Sequence, residues 1–148
     1  MEILSEQEVL FDNNENIGMT FRCRLDKAVI MARKGQITRA FVNLITNAIQ
    51  AVENQEHKEI LVTLQQTPGH YRVDIEDNGS GVSEENLEKL FSPNFTTKTR
   101  GSGLGLAICK SIVTQSHGDI YYSRSQELGG ADFTVILPMY TEVPEDYT

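Results

Sequence analysis

The sequence predicts an α+β layered sandwich, and three observations predict it. A long amphipathic helix covers 36–54, two strand pairs with period-two alternation lie around 60–76 and 120–137, and a glycine-rich stretch opens a further long helix at residue 106. At 148 residues the chain has the length of one domain with a sizeable core. Hydrophobic residues at 39% and charged residues at 23% place it among ordinary globular proteins.

Residues 1–16 are acidic and Asn-rich, a flexible lead-in with one short strand at 8–11. Met19, Phe21 and Cys23 alternate with Thr20, Arg22 and Arg24, which is strand patterning; 28–32 is a short apolar run read as a second strand. In the long helix, Ile37, Ala40, Phe41, Leu44, Ile45, Ala48, Ala51 and Val52 recur at three- and four-residue spacing and make one broad apolar face. Polar residues at 53–58 end it. Ile60, Val62 and Leu64 then alternate with Leu61, Thr63 and Gln65, and Pro68-Gly69 marks a turn. Tyr71, Val73 and Ile75 alternate with Arg72, Asp74 and Glu76, so the two runs form a hairpin. Ser83 begins a short helix, with Glu84 and Glu85 in the first turn where the dipole favours acid. The helix after the glycines ends near His117-Gly118. Strands at 120–123 and 132–137 meet across a turn at Gly129-Gly130, and Pro138 stops the last. Residues 139–148 form an acidic tail, which leaves 17–138 as the domain.

The net charge of −8 argues against a nucleic-acid binder, which needs a basic surface to displace counterions. An anionic ligand must then be held by local donors and a metal. Cys23 and Cys109 lie far apart in apolar-periodic segments and read as reduced core thiols of a cytoplasmic protein. No apolar run approaches a membrane span and no signal peptide opens the chain; a membrane-anchored parent could carry this piece on its cytoplasmic side.

Chemistry concentrates in a few stretches. In 96–106, Gly101, Gly103 and Gly105 let a ligand approach backbone N–H groups, Lys98 and Arg100 add positive charge, and the helix that follows offers its N-terminal donors to phosphate. On the long helix, Asn43, Asn47, Gln50 and Asn54 make one stripe of uncharged amides. Asn in mid-helix costs stability, and its amide oxygen suits Mg²⁺ when phosphates and waters supply the other positions. Asp77-Asn78-Gly79-Ser80-Gly81 follows a strand but precedes a helix, so a hairpin turn does not fit it. An Asp there suits a buried carboxylate that accepts a hydrogen bond from an amino group such as adenine N6, with glycines leaving room for the base. Phe91 and Phe95 read as packing residues, and His57, His70 and His117 as structural or solvent-facing.

These stretches occur in a fixed order: Asn43 to Ala51, Asp77 to Gly81, Phe91 to Phe95 and Gly101 to Leu106. They resemble the N, G1, F and G2 boxes of the ATP-binding catalytic domain of sensor histidine kinases, in the GHKL superfamily. The resemblance runs over about 36–138 and implies the Bergerat fold, a mixed, mostly antiparallel sheet covered on one face by about three helices. It implies that Asn47 ligates Mg²⁺ and that Asn43 orders the phosphates, with Asn43 and Lys98 as the catalytic residues. Asp77 would take the adenine N6 amino group, with Gly79 and Gly81 shaping the pocket floor, and Gln50 and Val82 would also bind the nucleotide. Thr97, Lys98, Gly101, Ser102, Gly103, Leu104, Gly105 and Leu106 would close over the triphosphate. One departure is visible: the family often has Gly-Thr ahead of the Phe of its last strand, and this chain has Gly130-Ala131. A water-mediated hydroxyl contact to the base is then missing, at a cost of about one neutral hydrogen bond.

Three functions from different classes fit these residues. The first is the phosphoryl-donating half of a histidine kinase, which presents ATP to a histidine on another domain. The second is an ATPase of the gyrase, chaperone or mismatch-repair type. Those relatives keep a Glu one turn before the metal-binding Asn, where this chain has Asn43, an amide that takes no proton at neutral pH. The third is a nucleotide-binding regulatory module without transfer. No histidine here has the acceptor's context, a His followed by an acid within a helix: His57 precedes Lys58, His70 precedes Tyr71 and His117 precedes Gly118. The expectation is therefore a catalytic domain of a longer protein, or one acting in trans, monomeric alone. It would act on a separate phosphoacceptor domain and indirectly on a response regulator, with no nucleic acid and no membrane contact.

Overall fold

The structure, a computed structural model, describes residues 17–23, 34–92 and 105–139. In chain order the elements are β1 (Ile17–Cys23), α1 (Lys34–Ala51), β2 (Lys58–Thr67), β3 (His70–Asp77), α2 (Glu84–Leu87), α3 (Gly105–Gln115), β4 (Asp119–Arg124) and β5 (Ala131–Pro138). The strands make one five-stranded sheet in the order β1-β2-β3-β5-β4. β1 runs parallel to β2, and the other neighbours are antiparallel. This is the α+β sandwich that the element order predicts, with the mixed, mostly antiparallel sheet that the resemblance implies. The strands expected at 8–11 and 28–32, the lead-in and the tail beyond Met139 lie outside the described residues.

α1 forms because its apolar stripe has somewhere to go. Ile37, Ala40, Phe41, Leu44, Ile45 and Ala48 are all buried in one cluster with Ile60, Val62 and Leu64 of β2, Val73 and Ile75 of β3, and Phe133, Val135 and Leu137 of β5. Burying each large aliphatic side chain contributes about 1.5–3 kcal/mol. α3 packs on α1, β4 and β5, with Cys109, Ile112 and Val113 inward. The helix expected to reach Asn54 ends at Ala51, where the amides of Glu53 and Gln55 bond three residues back to Gln50 and Val52. Those tighter bonds unwind the last turn and leave Asn54 exposed, outside the helix. α3 stops where the sequence says. The Gly118 amide reaches the Val113 carbonyl and the His117 amide the Thr114 carbonyl, with His117 left-handed at φ 65°. Gly118 is required next, because a Cβ there would run into the Ile136 carbonyl oxygen.

Two further expectations are corrected. Cys23 is exposed, not core, because it ends an edge strand; only Cys109 is buried. The outer face of the sheet is also less solvated than strict alternation implies: Leu61 is 4% and Asp74 5% exposed. Arg72 holds Asp74 with two bonds at 2.9 and 3.2 Å, and the Thr134 hydroxyl donates to it at 2.6 Å. Burial alone would raise the Asp74 pKa, but the bonds from Arg72 and Thr134 outweigh it and hold the group below its usual range. Asp132 beside it keeps the proton instead, pushed up to about 8 by burial and then by the neighbouring Asp74 carboxylate.

Candidate functional site

Asp77 is the last residue of β3 and is completely buried. A buried carboxylate is tolerated only where donors meet it. Here Oδ1 accepts the Gly79 amide at 2.9 Å and the Ala131 amide at 3.2 Å, while the Asp77 carbonyl accepts the Gly130 amide at 3.1 Å. The carboxylate thus sits between the loop after β3 and the turn before β5. Asn78 points away from it: its side chain accepts from the Glu59 amide at 3.0 Å and donates to the His57 carbonyl at 2.7 Å. The Asn-Gly pair fastens this loop to the start of β2 and makes no hairpin.

Glycine is needed where backbones close on the carboxylate. A Cβ on Gly79 would meet the Ala51 carbonyl, and one on Gly130 would meet the Asp77 carbonyl. The first contact also shows that the Asp77 loop abuts the C-terminal end of α1. Asn43, Asn47 and Gln50 lie half-buried along that helix. At its other end, α3 joins: the Cys109 thiol donates to the Ala40 carbonyl at 3.2 Å. Burial pushes that thiol up to about 12, against a smaller pull from the Asn43 side chain beside it. Gly105 opens α3 one turn earlier, and Leu106 packs against the core. From Asn43 to Ala51 the helix axis spans about 12 Å.

The structure therefore places Asn43, Asn47 and Gln50 along α1 and the Asp77–Gly79 loop against its C-terminal end, while Gly105 and Leu106 open α3, the helix packed on α1. Gly81 and Val82 belong to the same loop as Gly79, on the side facing β4, and Gly81 is left-handed at φ 76°. Thr97, Lys98, Gly101, Ser102, Gly103, Leu104 and Phe95 lie outside the described residues. Phe91 packs edge-on against Phe133 with ring centroids 6.3 Å apart, as a packing residue does. Among the described residues no cluster of His, Cys, Asp or Glu could hold a metal by itself. A cation here would need amide oxygens and ligand phosphates, which is what the Asn residues of α1 offer.

Four residues close to Asp77 or its loop carry no signal in sequence spacing. Ala131 and Gly130 act through their amides, and the need for glycine at 130 arises only because the Asp77 carbonyl closes on it in the folded chain. Tyr122 and Arg124 reach residues 40 and 44 positions away, a pairing that only the β3-β5-β4 order creates.

A five-stranded sheet with a buried acid at one strand end, facing an amide-bearing helix, defines a class that comparison with known proteins makes explicit. Residues 32–141 match the family described as histidine kinase-, DNA gyrase B-, and HSP90-like ATPase, and the chain belongs to that family. Within it, the chain is a histidine kinase catalytic domain. It is 36% identical over 127 residues to the sensor histidine kinase ZraS of Escherichia coli (strain K12), covering 86% of this chain and 27% of that protein. Its fold is similar to the catalytic domain of histidine kinase ThkA, with a TM-score of 0.83 and 34% identity over 93% of this chain and 91% of that one. It is also similar to ThkA in complex with the response regulator protein TrrA, at TM-score 0.78 and 31% identity, over 94% of this chain and 40% of that one. The chain spans about a quarter of the length of the curated relatives it matches. No helix among the described residues is long and apolar enough to cross a membrane.

Proposed function

We propose that this domain binds Mg·ATP and donates the γ-phosphoryl group to a histidine on a separate dimerisation and phosphoacceptor domain, within a two-component sensor histidine kinase. The observation that carries the reading is the buried Asp77 carboxylate, held by the Gly79 and Ala131 amides where its loop meets the end of α1. Adenine N6 would donate to this carboxylate. Gln50, Gly79, Gly81 and Val82 surround the base, and Asn43 and Asn47 extend toward the phosphates.

Asn47 would ligate Mg²⁺ through its amide oxygen, with phosphates and waters completing the shell. The cation supplies charge neutralisation on the triphosphate. Asn43 and Lys98 would hold the γ-phosphoryl in line with the incoming imidazole, and Thr97 and the 101–106 glycine stretch would cover the triphosphate; catalysis would be positioning and charge compensation. The unprotonated imidazole nitrogen attacks phosphorus while the bridging bond to the β-phosphate breaks, and ADP leaves with the electron pair. Asn43 also separates this reading from an ATPase. With an amide in that place no side chain one turn before Asn47 takes a proton from water, so hydrolysis is slow and the phosphoryl waits for its acceptor.

We further infer that the domain is cytoplasmic and monomeric alone, contacts neither nucleic acid nor membrane, and acts on a response regulator through the phosphohistidine. The likeness to ThkA bound to a response regulator supports that partner. The test is to mix the domain with a helical-hairpin phosphoacceptor domain and Mg·ATP. Acid-labile, base-stable phosphate should appear on the partner and be absent from the domain alone. ATP binding without any such transfer would favour the regulatory-module reading.

A further inference from the structure

We propose that Tyr122 and Arg124, on edge strand β4, are positioning residues for the base pocket and set how strongly it prefers adenine over guanine. The proposal rests on the reading of Asp77 as the partner of the base. Its grounds are three contacts, two on the loop after Asp77 and one on the turn before Ala131. The Val82 amide donates to the Tyr122 hydroxyl at 2.8 Å. One guanidinium nitrogen of Arg124 donates to the Ser80 carbonyl at 3.0 Å and to the Gly129 carbonyl at 3.1 Å. Gly81, between them, is left-handed, and a Cβ on it would lie 2.6 Å from the Arg124 guanidinium and 3.1 Å from the Tyr122 hydroxyl. Arg124 therefore ties together the two backbone walls that flank Asp77, the 78–82 loop and the turn before Ala131. Tyr122 is itself braced, its ring packing on buried Phe133 at 5.5 Å between centroids.

Rigidity matters because of what a carboxylate can and cannot reject. Adenine presents an amino group at C6 and guanine a carbonyl oxygen, which a carboxylate repels. Guanine also carries an N1–H and a 2-amino group, and a small sideways shift would aim both at the same carboxylate. A carboxylate alone thus selects adenine only if the walls stop that shift. Glycines at 79 and 81 supply no bulk to stop it, so the hydrogen bonds from β4 do.

The test compares Tyr122→Phe and Arg124→Gln with the unaltered domain, measuring Mg·ATP, Mg·ADP and Mg·GTP affinity by calorimetry and melting temperature by scanning calorimetry. Tyr122→Phe keeps the ring packing and removes only the acceptor. Each variant should weaken ATP about two- to tenfold, the range of one hydrogen bond. ADP should weaken by the same factor, since the effect is at the base. GTP should weaken less or tighten, so the ATP:GTP ratio falls while the melting temperature holds. An unchanged ratio would overturn the proposal, as would equal losses for ATP and GTP with a lower melting temperature, the mark of a merely structural role. Asp77→Asn is the control for the underlying reading: if it leaves ATP affinity unchanged, the site assignment fails, whatever the β4 variants do.

Discussion

The Ala131 amide donates to Asp77 Oδ1 at 3.2 Å, although the two residues stand 54 positions apart. This bond survives the departure from Gly-Thr noted in the sequence, because it uses backbone and not side chain. It also separates two jobs of one carboxylate, since Oδ1 holds the fold together while the group as a whole is proposed to meet the base. Asp77→Asn can keep the first job with its amide oxygen and fail at the second, where an NH₂ would face the adenine amino group. We expect near-native melting and a loss of Mg·ATP affinity of about ten- to a hundredfold, the scale of one hydrogen bond to a charged group. Isothermal calorimetry beside a melting curve checks both halves.

Asn47→Ala should act at the other end of the ligand. It removes the amide oxygen proposed for the cation, so Mg·ATP should bind more weakly while adenosine, which brings no phosphate, binds as before. Chelating Mg²⁺ with EDTA should weaken ATP binding to the unaltered domain and change little in the variant. Equal EDTA sensitivity in both would remove Asn47 from the metal site.

The outer-face pair Asp74 and Asp132 predicts a pH dependence. Asp132 keeps its proton up to about pH 8 in the folded domain, whereas in the unfolded chain it releases it near 4. Unfolding between these values releases a proton, so this group's contribution is full below about 4 and lost as pH rises to about 8. Asp74, with its pKa lowered, works the opposite way and only on the acid side. Asp132→Asn should therefore flatten the decline in melting temperature between pH 5 and 8 (to be read in steps of about half a unit) and raise it most at the alkaline end. A parallel decline in the variant would refute the assignment.

The two thiols should differ in reactivity. Cys23 is exposed, while Cys109 is buried and its pKa is pushed up to about 12, which keeps it from forming the reactive thiolate. An aromatic disulfide reagent should titrate one thiol quickly in the native domain and the second only after denaturant is added. Fast reaction of both would mean that the α1–α3 contact opens readily.

The sequence by itself determined the order and type of the described elements, because strand and helix periods are written locally. The apolar stripe of α1, the alternation of β2 and β3 and the His117-Gly118 stop are readable from neighbours a few positions apart. It also determined which residues could carry chemistry, the Asn stripe and Asp77 among them, since those types are costly where they stand. Tertiary structure alone decided the rest. It set β1 parallel to β2, put Cys23 at an exposed strand end, cut Asn54 off the helix and gave Asp132 its proton. It also closed Gly130, Ala131, Tyr122 and Arg124 around the Asp77 loop. Each of these depends on groups that meet only when the sheet assembles, and on burial, which no local pattern encodes.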